Sequence, residues 1–402
     1  MNIHVGQSIE AQTELRLLSA SKYKIISAQS SKPNMCIVQD SLLGAYKMTC
    51  GNKRIRKDQF FDISMKLEMT VSELMKKIKI IKTVAKEKGK NLIYKAKRKG
   101  KITEYYSCKA LMSLALPVDF NYEKENKADP EEPVVRIYKG VLYEGALDKS
   151  TLGAATNSLI HIIHKEYGPD ITAKFIDSVQ FITNNWLMID GFSIGIEDCM
   201  TKNKNQTQEI KDVIKKCFIE AEFIKETTTH PGIREVRITG ILNKARDMSL
   251  KKAKDSIDPK NNFLSTVNSG SKGDFFNVAQ ITGLLGQQNL QGKRIVPTLN
   301  NGNRTLPHYP FENLPIDLEY ESRGFIDSSF IRGLEPRQFY FHAMSGREGC
   351  CDKRLCHKQV AAIMVFCHTI IDKQCKTKET YNYLVNVFYW RDPLVAGSPL
   401  EL

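Results

Sequence analysis

Several features that would place the chain in a common protein class are missing from its 402 residues. No run of about 18 apolar residues occurs, so the sequence predicts no membrane-spanning helix. The first residues, 1–5, lack the basic and then apolar pattern of a secretory signal. We therefore expect an intracellular protein with no membrane partner.

The ten cysteines lack the spacing of common metal and redox motifs, because none of them forms a CxxC pair. Free thiols in a reducing compartment are the expectation. Cys351, Cys356 and His357 could offer two or three ligands to zinc, but the tetrahedral set of four is incomplete. We predict no metal site in this chain.

Motifs of catalytic chemistry are missing as well. The segment from Gly286 to Gly292 resembles a P-loop, but it has five intervening residues, and Lys293 is followed by Arg294 instead of Ser or Thr. No H-E-x-x-H, G-x-S-x-G or dinucleotide fingerprint occurs. No closely spaced aspartates suit a two-metal site. The residues alone therefore predict no catalytic side chain.

What the chain does have is an apolar content sufficient for folding and a strong positive charge. It is 42% hydrophobic and 26% charged, which fits two or three globular domains. The net charge is +14, and residues 53–101 hold 17 Lys and Arg against 5 Asp and Glu. Such a region is either a phosphate-facing surface or the solvated face of a lysine-rich protein.

Periodic apolar residues predict several helices. The pattern over 70–88 has Thr70 as a cap and Gly89 as a stop, and 151–189 reads as mainly helical. Helices at 207–226 and 233–255, separated by a His-Pro-Gly break, indicate an antiparallel hairpin. Pro336 is placed to begin another helix.

The remaining segments read as strands, turns and loops. Residues 22–49 are expected to be extended segments and turns, with a strand at 36–38. Strands are expected at 134–138 and 141–143, and 122–133 reads as a loop. An apolar helical face is expected to run from Phe276 to Leu285, and the alternating acids Asp317, Glu319 and Glu321 suggest the wet face of a strand.

Residues 261–349 hold the candidate binding groups. Lys272 lies in a glycine-rich turn whose amides can face an anion, although an ordinary turn has the same composition. Gln287 and Gln288 offer both donors and acceptors. Aromatic residues at 339–341 with Arg347 can stack on bases and bind phosphate, or form a buried helix with one arginine reaching solvent.

Taken together, short strings in this region resemble the largest subunit of multisubunit DNA-directed RNA polymerases, in its eukaryotic, archaeal and large-DNA-virus branch. The strings are Ser271-Lys272-Gly273, Gly286-Gln287-Gln288, Arg304-Thr305-Leu306-Pro307-His308, Ser322-Arg323-Gly324-Phe325, Arg332-Gly333-Leu334 and the run Phe341-His342-Ala343-Met344 that continues to Gly349. Gln39 to Gly44 and Gly191 to Ile196 resemble earlier signatures of the family. The resemblance covers about residues 1–349.

The resemblance implies an α+β, multi-domain fold with a defined order. Residues 1–190 would be the pore region and 191–300 the funnel, whose helical hairpin borders the channel for ribonucleoside triphosphates. Residues 301–349 would be a connector and the start of the bridge helix, and 350–402 a divergent segment. The residues that the resemblance places near the channel or bridge helix are Lys272, Gln287, Gln288, Arg304, His308 and Arg347.

The family's aspartate-rich block, which binds catalytic Mg²⁺, would precede Met1, so the isolated chain is expected to be inactive. The resemblance implies partners: the piece that carries those aspartates, the second-largest subunit, other polymerase subunits, and template DNA and RNA. For a viral member it implies the virion or infected host cell. The alternatives are a non-catalytic fragment or remnant that binds polymerase or nucleic acid, and a general RNA-binding protein that acts through residues 53–101.

Overall fold

The computed structural model describes residues 5–98, 101–126, 129, 131–200, 205–258, 261–310 and 313–350. The helices are α1 Ile9–Leu17, α2 Gln39–Thr49, α3 Lys57–Met65, α4 Val71–Glu87, α5 Cys108–Ser113, α6 Lys149–Leu152, α7 Leu159–Asp190, α8 Gln206–Thr227, α9 Pro231–Ser256, α10 Asn262–Ser269, α11 Phe275–Thr282, α12 Ile316–Ser322 and α13 Pro336–Arg347. The strands are β1 Arg54–Arg56, β2 Ile93–Arg98, β3 Lys101–Ser107, β4 Tyr122–Glu125, β5 Val134–Tyr138, β6 Val141–Glu144, β7 Gly286–Gln287, β8 Asn289–Leu290, β9 Lys293–Arg294 and β10 Phe325–Ile326. Long helices with small antiparallel sheets confirm the α+β, multi-domain class.

Two compact units make up the described chain, and the first is built from two separate segments. It combines the residues up to 210 with residues 248–283, while the second combines residues 211–247 with those from 284 onward. Within the first unit, Asn261 donates its side-chain amide to the carbonyl of Asp198 at 2.7 Å, and Asn262 donates to the carbonyl of Ser193 at 2.9 Å. These bonds tie the later segment to the earlier one.

Helix α2 lies in the core of the first unit and corrects one prediction. The extended reading is wrong over Gln39–Thr49, where a helix runs, and residues 36–38 form no strand, whereas residues 25–35 are mostly turns and bends, as predicted. Most of its side chains are buried, including Leu42 and Met48. A helix buried on nearly all sides has no polar stripe, so it gives no amphipathic signal.

The prediction for α4 is confirmed, including its start. The Thr70 hydroxyl accepts from the backbone N–H of Glu73, and the Glu73 carboxylate accepts from the backbone N–H of Thr70 at 2.8 Å. This reciprocal capping box satisfies two backbone donors that helix geometry leaves unpaired. The apolar side of α4, with Leu74, Ile78 and Ile81, is buried in the first core.

Two three-stranded antiparallel sheets complete this part of the first unit, in the orders β1-β3-β2 and β4-β5-β6. The strands predicted at 134–138 and 141–143 are confirmed as β5 and β6. The loop predicted over 122–133 is wrong at its start, because Tyr122 pairs with Ile137 and strand β4 continues to Glu125. The polar sequence of β4 does not predict a strand; the hydrogen bonds to β5 determine it.

Helix α7 confirms the helical reading of 151–189, with an interruption near its middle. Gly168 has a φ of 82°, outside helical geometry, and Pro169 follows it. Proline disfavours helical geometry in the residue before it, and glycine reaches positive φ without strain.

Among the described helices, α7 included, none has both the length and the apolar content needed to cross a bilayer.

Helices α8 and α9 confirm the predicted hairpin. The break falls at residues 228–230, and the Arg237 guanidinium lies 3.4 Å from the Thr228 hydroxyl beside it. Further from the break, Lys244 lies 3.9 Å from Glu220. Partners that lie earlier on α8 meet residues that lie later on α9, as antiparallel pairing requires. Apolar side chains on both helices are buried, among them Phe218 and Leu242.

The ends of three other helices show where local pattern succeeded and failed. Pro336 begins α13 as predicted. The apolar face expected to reach Leu285 stops earlier, because α11 ends at Thr282 and Gly283 follows in non-helical geometry. The prediction that Asp317, Glu319 and Glu321 lie on one face of a strand is wrong, because all three lie within helix α12. The predictions for residues 351–402, with the candidate zinc ligands, lie outside the described residues.

Candidate functional site

Lys272 occupies an exposed turn between two helices of the first unit. Helix α10 ends at Gly270, whose φ of 72° is left-handed, and Gly273 has a φ of 70°. Asp274 then caps α11 by accepting from the backbone N–H of Asn277 at 3.0 Å. Glycine is favoured at both positive-φ positions. The turn therefore holds a lysine in solvent between two fixed helix ends, where its ammonium can meet an anion.

The same turn is anchored against the helix that precedes α7. A Cβ atom added at Gly270 would lie 2.6 Å from the Lys149 side chain, closer than packed atoms approach. The Ser271 hydroxyl donates to the carbonyl of Thr266 at 3.2 Å. These contacts limit the movement of the turn, so the backbone of Lys272 has a defined position.

The two glutamines lie in the interior of the second unit. The side-chain amide of Gln287 donates to the carbonyls of Gln288 at 2.7 Å and Arg323 at 2.9 Å. Its side-chain oxygen is buried and has no hydrogen-bond partner among the described residues. Gln287 therefore acts as a cross-brace between β7 and the chain before β10.

Gln288 links this strand to α13. Its side-chain oxygen lies 3.2 Å from the Nδ1 atom of His342, and its amide donates to the carbonyl of Gly286 at 3.3 Å. Burial lowers the pKa of His342, because the charged imidazolium loses hydration. The neutral ring is thus favoured, and the Gln288–His342 contact fixes the position of α13 relative to β7.

Arg304 shapes the loop that contains His308. Its guanidinium donates to the carbonyls of Pro307 and, at 2.5 Å, Tyr309. The Tyr309 hydroxyl in turn donates to Glu321 at 3.1 Å, and its ring lies parallel to that of Phe341 on α13, with centroids 6.3 Å apart. Arg304 therefore has a structural task in its own loop, and the loop packs on α13.

His308 and Arg347 differ from the buried members of the predicted set, because both are exposed. Neither side chain has a hydrogen bond or ion pair with another described residue. The structure thus gathers Gln287, Gln288 and the loop of Arg304 around α13 in the second unit, while Lys272 belongs to the first.

An ion-pair cluster in the second unit was not predicted. Arg294 donates to both carboxylate oxygens of Glu235, at 2.8 and 2.9 Å, and Arg323 lies 3.6 Å from the same carboxylate. Burial opposes ionisation of Glu235, but its bonds to Arg294 outweigh that effect and lower its pKa. No local pattern predicts this pair, since 59 residues separate Arg294 from Glu235.

The acidic and thiol side chains were also compared with the needs of a metal ion. Within the part of the chain that the structure describes, no three His, Cys, Asp or Glu side chains are grouped so that they could hold one. The described side chains do not fit the Mg²⁺ that the resemblance implies, which it assigns to residues outside this chain.

Comparison with known proteins decides the family. Models of the RNA polymerase Rpb1 family match as two consecutive domains, domain 3 over residues 24–199 and domain 4 over residues 224–326. The chain therefore belongs to the Rpb1 family of RNA polymerase largest subunits. The Rpb1 domain 3 match takes in α2 to α7, and the domain 4 match begins near the end of α8, takes in α9 and continues to β10.

Two relatives show the extent of the similarity. The chain is 42% identical over 370 residues to a probable DNA-directed RNA polymerase II subunit RPB1 homolog of Invertebrate iridescent virus 6. It is 32% identical over 367 residues to the DNA-directed RNA polymerase II subunit RPB1-B of Trypanosoma brucei brucei. Each alignment covers 88% of this chain, but only 34% of the viral protein and 19% of the trypanosome protein.

Proposed function

We propose that the chain is a component of a DNA-directed RNA polymerase, which copies DNA into RNA from ribonucleoside triphosphates. The observation that carries this proposal is the consecutive match of two Rpb1 domains over residues 24–326. The names of the viral and trypanosome relatives agree with it. In the assembly, the activity is that of a nucleotidyltransferase.

In this proposal the α8–α9 hairpin forms part of the funnel around the nucleotide channel, and α13 begins the bridge helix. The contact between Gln288 and His342 supports a positioning role, because it joins the residue that follows β7 to α13 at 3.2 Å. A side chain held in this way keeps neighbouring groups in a fixed geometry, which lowers the entropy cost of aligning reactants.

The predicted site residues then divide into two kinds. Gln287, Gln288 and Arg304 are hydrogen-bonded within the second unit and hold its shape. Lys272, His308 and Arg347 are exposed, and they would give electrostatic support to phosphates or nucleic acid. None of the six would form a covalent bond with substrate.

Reconstitution tests the assignment. The purified chain, a largest-subunit segment that carries the aspartate-rich block, and the second-largest subunit are mixed with template DNA, ribonucleotides and Mg²⁺. We expect co-assembly and RNA synthesis only when all three proteins are present. Failure to co-assemble, or synthesis by the chain alone, would contradict the proposal. Co-assembly without synthesis would favour a non-catalytic binding module.

Lys272 gives a sharper test in an active assembly. We expect Lys272→Ala to lower kcat/KM for ribonucleoside triphosphates about tenfold, the lower end of what a charge-assisted hydrogen bond contributes. Lys272→Arg should restore much of the loss. Lys165→Ala removes another exposed lysine, on α7, and serves as the control. Equal effects at Lys165 and Lys272 would show that only overall charge matters.

A further inference from the structure

One face of the sheet β1-β3-β2 in the first unit packs into the core at Ile55 and Tyr106, and much of the other face is exposed. Ile55 is paired with Tyr106, and Tyr106 with Ile93. Ile55 and Tyr106 are buried. Because successive side chains of a strand point to opposite faces, the positions between them belong to the other face. The register places Arg54, Arg56, Tyr94, Ala96, Thr103 and Tyr105 there, between the buried Ser107 at one end and the pair Arg98–Lys101 at the other.

Two tyrosines and two arginines on this face form one continuous group. The register sets Arg56, Tyr105 and Tyr94 side by side across the three strands. The Arg54 guanidinium carbon lies 3.8 Å from the centre of the Tyr94 ring, a cation–π contact. Both tyrosines are half-buried, while both arginines are exposed. The Arg54 guanidinium covers part of the Tyr94 ring, and the half-burial of both tyrosines leaves the rest of each side chain partly accessible.

The charge of this face is positive. Glu104 belongs to the opposite face, where it is opposite Lys95 and binds Lys57 at 2.9 Å. Asp58 approaches Arg56 at 3.3 Å, but both side chains are more than half exposed. An ion pair in that setting contributes little and can be exchanged for another anion. None of the residues that the register places on this face is acidic.

The row of rings and cations fits one chemistry better than others. Bases of a single strand stack on tyrosine rings without regard to sequence, and arginine pairs with phosphate oxygens through parallel hydrogen bonds. Duplex bases are stacked on each other and cannot lie on a tyrosine. An acidic polypeptide could pair with the arginines but has no bases for the rings.

We propose that this sheet face binds a single-stranded nucleic acid, with bases on Tyr94 and Tyr105 and phosphates at Arg54 and Arg56. Ala96 and Thr103, the next pair along the strands, are exposed and short, which leaves room for the chain of the ligand. This binding belongs to the chain itself and does not depend on assembly into a polymerase.

Fluorescence anisotropy with a labelled 12-nucleotide RNA, the same sequence as DNA, and its duplex tests the proposal on the full chain. We expect both single strands to bind more tightly than the duplex. Tyr94→Leu and Tyr105→Leu should each weaken binding about tenfold, the size of one lost base stack. Tyr94→Phe and Tyr105→Phe keep the ring and should keep the affinity.

The arginines are tested by salt dependence. For a single strand, each phosphate contact adds about 0.7 to the slope of log affinity against log salt. The double variant Arg54→Gln/Arg56→Gln should therefore lower that slope by about 1.4. Lys215→Gln/Lys216→Gln removes two exposed cations from α8 and should leave the slope unchanged. The arginine pair is exposed, so this arm stands even where a tyrosine variant fails to fold.

The proposal is overturned if neither single strand binds, if the α8 control and the arginine pair lower the salt slope equally, or if the leucine variants bind as tightly as wild type. Competition by polyglutamate as effective as competition by RNA would also overturn it, because that result would assign the face to an acidic protein.

Discussion

Replacing Glu235 with glutamine tests whether the ion-pair cluster stabilises the second unit. The Arg294 side chain is only 6% exposed, while Glu235 is 39% exposed. The substitution removes the charge that compensates Arg294 and Arg323 but keeps a side chain of the same shape. The two guanidinium groups then face each other with less compensation in a partly dry setting.

The expected cost can be placed between two limits. Removing one member of a fully buried ion pair costs about 3–5 kcal/mol, and removing one from an exposed pair costs about 0.2–1 kcal/mol. Arg294 is buried, but Glu235 is partly screened by water. We therefore expect Glu235→Gln to lower the free energy of unfolding of the second unit by about 2 kcal/mol at neutral pH.

The pH dependence of stability independently tests whether ionised Glu235 stabilises the fold. The pKa of Glu235 is lowered in the folded state, so its ionised form stabilises the fold above the pKa of the unfolded chain. That contribution is lost as pH falls through the folded pKa. The difference between wild type and Glu235→Gln should therefore be constant from pH 7 to about 5 and shrink at more acidic pH.

Urea denaturation followed by circular dichroism at 222 nm measures this difference. Circular dichroism follows the helices of the second unit directly, whereas fluorescence of Trp186 reports on the first unit. Glu220→Gln is the matched control, because it removes the same group from an exposed pair with Lys244 in the same hairpin. We expect that control to cost less than about 0.5 kcal/mol. Equal costs for the two variants would refute the account of the cluster.

Two further predictions concern local structure. Burial lowers the pKa of His342, so the unfolded chain binds more protons just below pH 6.5, and stability falls as pH is lowered through that value. The melting temperature of His342→Gln should therefore drop less than that of wild type between pH 7.5 and 5.5. Equal drops for the two proteins would contradict this. Thr70→Ala removes one arm of the capping box and should cost about 1 kcal/mol in urea denaturation, whereas the neighbouring Ser72→Ala should be nearly neutral. A neutral Thr70→Ala would show that the cap does not stabilise α4.

Sequence reasoning succeeded where a local pattern and its chemistry coincide. The amphipathic stripe of α4, the cap at Thr70, the break in the hairpin and the proline that begins α13 are all visible within a few residues. Helix α2 was missed because its side chains are buried on most sides. Strand β4 was missed because the partner strand, and not its own polar sequence, determines it.

The candidate site was predictable as a set of residue types but not as a set of contacts. Gln287 and Gln288 were singled out as donors and acceptors, yet their partners lie at Arg323 and His342, 36 and 54 residues away. The cluster at Glu235 and the tyrosine-arginine face have the same origin. Both depend on contacts between segments that are distant in the chain, and such contacts cannot be predicted from a local sequence pattern.

The division of the first unit into two chain segments has a consequence for synthesis. During translation, residues up to 210 leave the ribosome well before residues 248–283, which complete the unit. Until Asn261 and Asn262 arrive, the carbonyls of Asp198 and Ser193 lack the donors that they have in the finished fold. The nascent chain must therefore carry an incomplete core past the whole α8–α9 hairpin, and a ribosome stalled before residue 283 should display a protease-sensitive first unit.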